Sequence, residues 1–451
     1  MKKIIGLSLL SMVLVAQESV SHLKLEQVNK IIDSTFSENG VKSQGSTDIE
    51  ADAFVDNVHI LQKPSANEEV AGNLILNTTI TSSGSELHQG LTTVKSGAKL
   101  QDAKLESINS MNNLKATSGE SFVSQANVVI GEDSNVTKLI SSANENISGD
   151  GTANKFLIFE ENSIQDTNIR NTTIHQGLIV VKDGADVSNL NITQKNSIRR
   201  SSMSGQNEIN ATEVTQGQIK ISDGVGRNIS QSVENRIDNL MVNDSSFVSQ
   251  ASIDAVQSDI NNLNSKLNSL NNQDRVKNEI KNLTINNGMV RQSTMFFEES
   301  SVDMLDKYNR GGGLQQNNLI HSTTVENNAT IAQSTIKITN GSSLKNVEYF
   351  TIDNPDNGQD AVNEIKNLNL TDNSLVYQDK LEMSGGVVEN STFKRTNLIK
   401  DVNIGNGSTL YQFYTQMEQS ELKGAKLSTK SFVDDVYINN SDVAQSATSI
   451  Q

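Results

Sequence analysis

The hydrophobic and polar positions of the chain follow one short pattern that recurs along most of its length. Apolar residues alternate with polar ones, Gly, Asn or Ser interrupts the alternation, and a later apolar residue stands two positions before a Gln. The segments NTTITSSGSELHQ (77–89), NLNLTDNSLVYQ (367–378) and DVNIGNGSTLYQ (401–412) share this form. Alternation with period two puts one face of a short strand inward, and Gly, Asn and Ser tolerate left-handed backbone angles. The pattern predicts strands joined by tight turns.

A second form of the pattern follows many copies of the first, with Asp or Asn where the first has Gln. It is seen in GLTTVKSGAKLQD (90–102) and GLIVVKDGADVSN (177–189). The Gln positions 250, 292, 333, 378, 412 and 445 differ by 42, 41, 45, 34 and 33, so each interval holds two half-units. One unit of about 17 to 22 residues suits one coil of a parallel β-helix. The expected rod has on the order of 15 to 20 coils and a length of roughly 70 to 95 Å.

The repeat also predicts which side chains stack along the rod. The apolar columns are expected to hold Val55, Leu100, Val123, Val187, Leu344, Leu410 and Val443. The polar ladders are expected to hold Asn57, Asp102, Gln125, Asn189 and Asn346. Identical amides at the strand spacing can hydrogen-bond to one another along the axis.

Two segments break the pattern and favour helices. Ile253, Val256, Ile260, Leu263, Leu267 and Leu270 are spaced 3, 4, 3, 4, 3, which is typical of a heptad seam. This predicts a helical insert over 252–277, packed on the flank of the rod or serving as a self-association seam. Leu23 to Phe36 is amphipathic through Val28, Ile31, Ile32 and Phe36. It predicts a short helical cap within 22–50 that covers the first coil.

The N-terminus is typical of a secretion signal. Lys2 and Lys3 precede an apolar run from Ile4 to Ala16, which is shorter than a membrane span. We therefore assign 1–21 to a signal peptide, 51–251 and 278–451 to the solenoid, and expect a secreted or cell-surface protein with no later membrane span.

Composition narrows the function. The chain has no Cys, which excludes disulfides and thiolate sites, and no Trp; hydrophobic residues are 35% and aromatics 4%. A thin solenoid needs little apolar material. The net charge of −16, without a basic stripe, disfavours nucleic-acid partners.

Three groups of residues are candidate sites of chemistry. His88 and His175 hold the same repeat position, yet a long stretch of chain separates them and no carboxylate pattern accompanies them, so a solvated position is the better interpretation. Asp353, Asn357, Gly358 and Glu364 fit a calcium loop, but Pro355 occupies a ligand position and favours an ordinary turn.

The third group is Glu298 and Glu299 beside Phe296 and Phe297, which favours a solvated loop over a glycan-cleaving centre. The carboxylates are otherwise scattered along the chain. We therefore expect no enzyme, no catalytic or metal-binding residue and no cofactor.

The repeated unit, apolar-x-apolar-x-x-Gly-Ser-x-apolar-x-Gln/Asn, resembles the coils of bacterial β-solenoid adhesins, and its regular Gln and Asn resemble curli-type fibre subunits. The resemblance covers most of 51–451 and concerns architecture only. It departs from curli in its alternating half-units, and from autotransporters in lacking an evident C-terminal anchor. It implies adhesion, matrix or fibre roles and transfers no functional residue.

The expected function is that of an exported structural or adhesive surface protein. Its partner is expected to be a second copy stacked head to tail, a cell-surface anchor, or a glycan. The alternatives are a polysaccharide-active β-helix enzyme and a carbohydrate-binding solenoid.

Overall fold

The computed structural model describes residues 12–14, 19–21, 24–38, 40–56, 59–62, 72–116, 121–131, 135–139, 156–182, 184–188, 190–206, 211–266, 278–303, 312–315, 318–350, 353–354, 359–360 and 363–450. All regular elements in these ranges are β-strands. None of the described residues belongs to a helix long and apolar enough to span a bilayer.

The strands of the N-terminal part are β1 (Met12–Leu14), β2 (Ser19–Ser21), β3 (Lys24–Glu26), β4 (Asn29–Ile32), β5 (Thr35–Phe36), β6 (Gly40–Gln44), β7 (Thr47–Ile49), β8 (Phe54–Asp56), β9 (His59–Gln62), β10 (Asn73–Ile80), β11 (Ser85–Gln89), β12 (Thr92–Val94), β13 (Lys99–Ala116), β14 (Ser121–Gln125), β15 (Val128–Ile130) and β16 (Asn135–Leu139).

The strands of the middle part are β17 (Phe156–Gln165), β18 (Asn168–Arg170), β19 (Thr172–Gln176), β20 (Ile179–Val181), β21 (Asp186–Ser188), β22 (Leu190–Ser204), β23 (Thr212–Gln216), β24 (Ile219–Ser222), β25 (Val225–Asn243), β26 (Ser246–Gln250), β27 (Ile253–Val256), β28 (Asp259–Lys266), β29 (Asn278–Asn286), β30 (Met289–Gln292), β31 (Met295–Glu298), β32 (Ser301–Asp303) and β33 (Gly312–Gln315).

The strands of the C-terminal part are β34 (Asn318–Glu326), β35 (Thr330–Gln333), β36 (Ile336–Thr339), β37 (Ser343–Lys345), β38 (Val347–Phe350), β39 (Asp353–Asn354), β40 (Gln359–Asp360), β41 (Asn363–Leu370), β42 (Leu375–Gln378), β43 (Leu381–Ser384), β44 (Val387–Glu389), β45 (Thr392–Gly405), β46 (Thr409–Glu418), β47 (Glu421–Lys423), β48 (Lys426–Asn439) and β49 (Asp442–Ile450).

These strands form a parallel β-solenoid, as the repeat predicts. Most strands pair in parallel with the equivalent strands one coil earlier and one coil later. The strands at the two ends of the described stack pair on one side only, and β39 and β40 form an antiparallel hairpin. One sheet is built from strands such as β23, β24, β26 and β27, and the opposing sheet from strands such as β22, β25 and β29. We call them the first and second sheets.

The predicted coil length is wrong, because one coil contains both half-units. Register pairs join Gln44, Gln89, Gln125, Gln176, Gln216, Gln250, Gln292, Gln333, Gln378, Gln412 and Gln445 in one column across eleven coils. Each step along this column is therefore about twice the length of the predicted unit. Ten steps at the usual strand spacing give a stack of about 48 Å, shorter than the predicted rod.

The interior contains two apolar lobes rather than one. Val123 and Leu410 belong to the first lobe, whereas Val187 and Leu344 belong to the second. Within one coil, Val214 and Ile237 lie in the first lobe, and Ile219 and Ile229 lie in the second. Each half-unit therefore supplies mainly one lobe, and the single apolar column expected from the sequence is divided between the two.

A row of Gln side chains separates the lobes on the side of the first sheet. Each Gln Nε2 donates to the Oε1 of the Gln one coil earlier, in nine consecutive hydrogen bonds of 2.7 to 3.1 Å. Several of these amides also reach the opposite sheet, as Gln412 Nε2 does in donating to the Asn363 carbonyl at 3.0 Å. Of the predicted polar ladders, the one that contains Gln125 is confirmed, although it runs through the interior.

An Asn row faces the Gln row from the second sheet, and it was not predicted from the sequence. It comprises Asn29, Asn73, Asn109, Asn162, Asn196, Asn235, Asn278, Asn318, Asn363 and Asn397, joined by nine hydrogen bonds of 2.8 to 3.0 Å. Each Asn Nδ2 donates to the following coil, opposite to the sense of the Gln row. The two rows of amide dipoles therefore oppose each other, and within each row one interior amide hydrogen-bonds to the next.

The predicted heptad helix is wrong over its described residues. Ile253 and Ala255 point into the second lobe from β27, and Ile260 does so from β28. Gln257 lies between the two strands at φ 49°, and this left-handed residue shifts the phase of the alternation. Two short strands joined by such a corner therefore place apolar residues three and four positions apart, as a helix would. Leu267 and Leu270 lie outside the described residues.

The predicted helical cap is also wrong. Within 22–50 the chain forms β3 to β7, and β4 pairs with β10 in parallel register. Ile31 is buried, whereas Val28 and Ile32 are exposed, because a strand sends neighbouring side chains to opposite faces. Within the segment assigned to a signal peptide, β1 pairs with β7 and β2 with β8. Its removal on export stays a prediction.

Candidate functional site

The coil formed by β48 and β49 exposes an apolar surface at one end of the stack. Leu427, Val433, Ile438 and Ile450 are 37% to 75% exposed. Their register partners one coil earlier, Phe393, Ile399, Ile404 and Met417, are buried in the two lobes. No described strand pairs with the outer edge of β48 or β49. We call this surface the end face.

The Asn row stops one coil before the end face. Asn397 is fully buried, and its Nδ2 has no hydrogen-bond partner among the described residues. The register position that follows Asn397 is occupied by Ser431 instead of another Asn. The regular interior therefore gives way to a different composition at the end face.

A tyrosine stack lies on the outer side of the first sheet, close to the end face. Tyr377 and Tyr411 are register partners on β42 and β46, with ring centroids 5.4 Å apart and an interplanar angle of 4°. Tyr414 stacks on Tyr411 at 4.3 Å. Lys380 Nζ lies beside the stack, 4.5 Å from the centre of the Tyr377 ring and 6.0 Å from that of Tyr411.

Lys380 and its neighbours form an ion-pair network beside the stack. Lys380 Nζ lies 2.8 Å from Glu382 Oε2, and Lys337 Nζ lies 3.0 Å from Glu382 Oε1. Burial opposes the charge of Glu382, but the hydrogen bonds from the two lysines lower the pKa of its carboxyl below the usual range. Desolvation by burial, with a contribution from Tyr411, raises the pKa of Tyr377 to about 12. The phenol therefore stays protonated at neutral pH and can donate a hydrogen bond.

The structure brings His88 and His175 into one column, with Ser124 between them. His88 Nδ1 lies 2.8 Å from Ser124 Oγ, and His175 Nε2 lies 3.7 Å from Glu213 Oε1. Separation along the sequence was thus a poor guide, since coils return to the same column, and carboxylates do accompany both imidazoles. Nevertheless, Phe122 stands between the two rings, and the described residues contain no group of three or more His, Asp or Glu side chains suited to a metal.

The other candidate residues from the sequence do not come together into one site. Phe297 is buried in the second lobe, whereas its neighbour Phe296 points outward, as strand alternation requires. Glu298 accepts a hydrogen bond from Asn340, and Glu299 accepts one from Gln257. Of the candidate calcium loop, Asn357 and Gly358 lie outside the described residues.

Glu364, the last residue of that candidate loop, is instead paired with its neighbours on the second sheet. Its Oε1 lies 3.4 Å from His321 Nε2, and Lys366 also contacts it. The close contact with His321, followed by that with Lys366, lowers the pKa of Glu364 to about 2 despite partial burial.

We expect Glu364→Gln to reduce the loss of stability in acid. Because the folded pKa lies below the ordinary value of 4.5, the contribution of Glu364 is present above about pH 4.5 and disappears as the pH falls through about 2. Urea midpoints measured from pH 5 to pH 2 should fall less steeply for Glu364→Gln than for the wild type. Glu418→Gln, at an exposed position, is the matched control. Equal slopes for wild type and Glu364→Gln would contradict the pairing.

Comparison of the chain with protein-family models gives no match, and comparison with curated proteins gives none either.

Proposed function

We propose that this chain is an exported structural or adhesive protein of the cell surface or extracellular matrix. The observation that carries the proposal is the pair of opposed amide rows, which link the coils inside the rod in addition to the backbone hydrogen bonds. Such a rod resists opening at any single coil, because neighbouring side chains and strands hold each coil on both sides. A stiff spacer or fibre element needs this property.

We further propose that the end face receives another β-coil, supplied by a second copy stacked head to tail or by a surface anchor. Val433 and Ile438 are exposed, although their register partners one coil earlier are buried. A further coil in register would bury them as well. The unpaired strand edge offers backbone donors and acceptors for the same contact. Since a head-to-tail contact is heterologous and does not close, repeated stacking gives filaments.

The proposal includes no catalytic role. The alternative of a polysaccharide-active enzyme predicts turnover on pectins, alginates or host glycans that a single carboxylate substitution abolishes. That result would replace the structural role by an enzymatic one.

Electron microscopy of the purified chain tests the assembly. We expect filaments from the wild type and none from the double variant Val433→Glu, Ile438→Glu, because two carboxylates would be desolvated in the contact. Both residues are about half exposed, 58% and 48%, so the isolated rod should keep its thermal midpoint. Met241→Glu, at a 48% exposed apolar position on the side of the rod, should form filaments normally.

Deletion of 432–451 should likewise abolish filaments or surface retention while the upstream coils stay folded. A wild type that stays monomeric at high concentration, together with unchanged surface retention of the deletion variant, would remove any assembly role from the end face.

A further inference from the structure

Equivalent positions in the preceding coils show which residue types the fold ordinarily has at the positions around the tyrosine stack. In each coil, one Gln belongs to the Gln row. The residue directly after that Gln adopts a left-handed conformation in every described coil from Gly45 to Phe413. The occupants are Gly45, Gly90, Ala126, Gly177, Gly217, Ala251, Ser293, Ser334, Asp379 and Phe413. Eight of the ten are Gly, Ala or Ser, and Asp379 is of a residue type that adopts this conformation readily. Phe413, on a coil that carries the stack, is the one bulky occupant.

Phe413 is the largest departure from this rule. Its φ is 49°, a conformation that is strained for a bulky side chain. Thr415, two residues later, stands where the four preceding coils place Ile253, Met295, Ile336 and Leu381. Its hydroxyl is buried without a hydrogen-bond partner among the described residues. β46 therefore accepts two unfavourable features that the fold does not require.

The position two residues after the row Gln departs in the same coils. Lys380 occupies it on one coil, with only 6% of its surface exposed, and Tyr414 occupies it on the next. Upstream coils place uncharged residues there, such as Ser252 and Thr294. Strained and locally unfavourable residues that cluster on one surface indicate a functional constraint on that surface.

One end of the stack is open. The coil after Tyr411 and Tyr414 presents only Ala444 and Ala447 at their register positions. The side chain of each alanine is a single methyl group, so the residues at these two positions leave the ring faces on this side largely uncovered. Thr409 and Gln416 flank the rings on the same outward face of β46. The result is an apolar ring face bordered by hydrogen-bonding groups.

The local charge restricts what can stack there. Lys380 and Lys337 face the carboxylates of Glu382 and Asp442 beside the rings, so the local charges balance and attract neither a cation nor an anion strongly. The chain as a whole carries a charge of −16, which disfavours a polyanion. A ring with an apolar face and uncharged hydroxyl groups meets both conditions, because it stacks on an aromatic face and exchanges hydrogen bonds at its edge.

We propose that Tyr411 and Tyr414 form a binding subsite for a pyranose ring of a neutral polysaccharide. This inference rests on the proposed adhesive function and names the class of its target. The hydroxyl groups of Tyr377 and Tyr411 stay protonated, since burial raises the pKa of both phenols, and are available as donors to sugar oxygens.

Isothermal titration of the full chain with cellohexaose, maltohexaose, mannohexaose, N-acetylchitohexaose and hexagalacturonate tests the proposal. We expect at least one neutral hexasaccharide to bind, and hexagalacturonate to bind more weakly. Tyr414→Ala should weaken the binding about tenfold, the scale of one lost stacking contact, whereas Tyr414→Phe should retain most of it.

Phe247→Ala is the matched control, since Phe247 is a half-buried aromatic residue on the same sheet face in an upstream coil. It should bind as the wild type does. The proposal is overturned by any of three results: no neutral hexasaccharide binds at about 1 mM, where even weak subsites register; hexagalacturonate binds best; or Tyr411→Ala and Tyr414→Ala bind unchanged.

Filament formation separates this inference from the assembly proposal. Tyr414→Ala should form filaments like the wild type, because Tyr414 lies on the side of the rod. If filaments form but no sugar binds, the sugar subsite is rejected and the structural role stands. If sugar binds but the protein stays strictly monomeric, the filament proposal is rejected and the subsite stands.

Discussion

Gln250→Glu should lower the free energy of unfolding by about 3 to 5 kcal/mol at neutral pH, the cost of an uncompensated buried charge. Gln250 is fully buried in the Gln row, where its Nε2 donates to Gln216 Oε1 at 2.8 Å. Glutamate has nearly the same shape, yet it places a carboxylate oxygen against that acceptor. Gln292 Nε2 can still donate to residue 250, so only one side of the row is broken.

The pH dependence distinguishes this effect from simple misfolding. Burial holds the pKa of the introduced carboxyl above its value in the unfolded chain, so the folded state binds the proton more tightly. The stability of Gln250→Glu should therefore recover as the pH falls, because the protonated acid can donate to Gln216. Chemical denaturation from pH 8 to pH 4 measures this. Gln419→Glu, at an exposed position, should change stability by less than about 0.5 kcal/mol. Equal stabilities for the two variants would mean that the Gln row is not buried.

Val187→Asp should also destabilise the rod by several kcal/mol, unless water enters around the introduced charge. Val187 is 1% exposed and packs in the second lobe. Lys182→Asp, at an exposed position shortly before it in the chain, is expected to have little effect.

Val443→Asp should fall between these two variants. Val443 lies in the end coil, is only partly buried and packs against the first lobe from one side. Thermal midpoints of the three variants measure this order. Equal midpoints would contradict the assignment of inward and outward positions.

The sequence predicts well whether a residue points inward or outward, but it predicts poorly which residues contact one another. The inward positions Val123, Val187, Leu344 and Leu410 are confirmed, because alternation with period two is a local property of a strand. Their division into two lobes was missed, since both half-units share the same apolar pattern. Only the Gln that ends one form and the Asp or Asn that ends the other distinguish them.

The Asn row could have been found from spacing. In most coils the row Asn precedes the row Gln by a nearly constant length of chain, as Asn278 precedes Gln292 and Asn397 precedes Gln412. The exact hexapeptide NEIKNL begins at both Asn278 and Asn363. This signal was obscured because Asn is abundant throughout the chain, at corners such as Asn282 as well as in the interior.

The tyrosine stack could not have been predicted from the sequence. Tyr377 and Tyr411 are separated by one full coil of the chain, and their contact follows only when the coil length is known. With the shorter coil that the half-units suggest, they would not have been neighbours. The shorter predicted coil thus concealed the surface to which we assign the sugar subsite.

Disulfide formation between engineered cysteines measures the coil length most directly, and the chain has no native Cys to interfere. Lys220 and Asp254 are register partners on the outward face of neighbouring coils. Neighbouring strands lie about 4.8 Å apart, within the Cα separation that a disulfide accepts. We predict that Lys220→Cys, Asp254→Cys closes a disulfide under mild oxidation, whereas Lys220→Cys, Asp238→Cys, separated by one half-unit and placed on opposite sheets, does not. Closure of the second pair in preference to the first would contradict a coil built from two half-units.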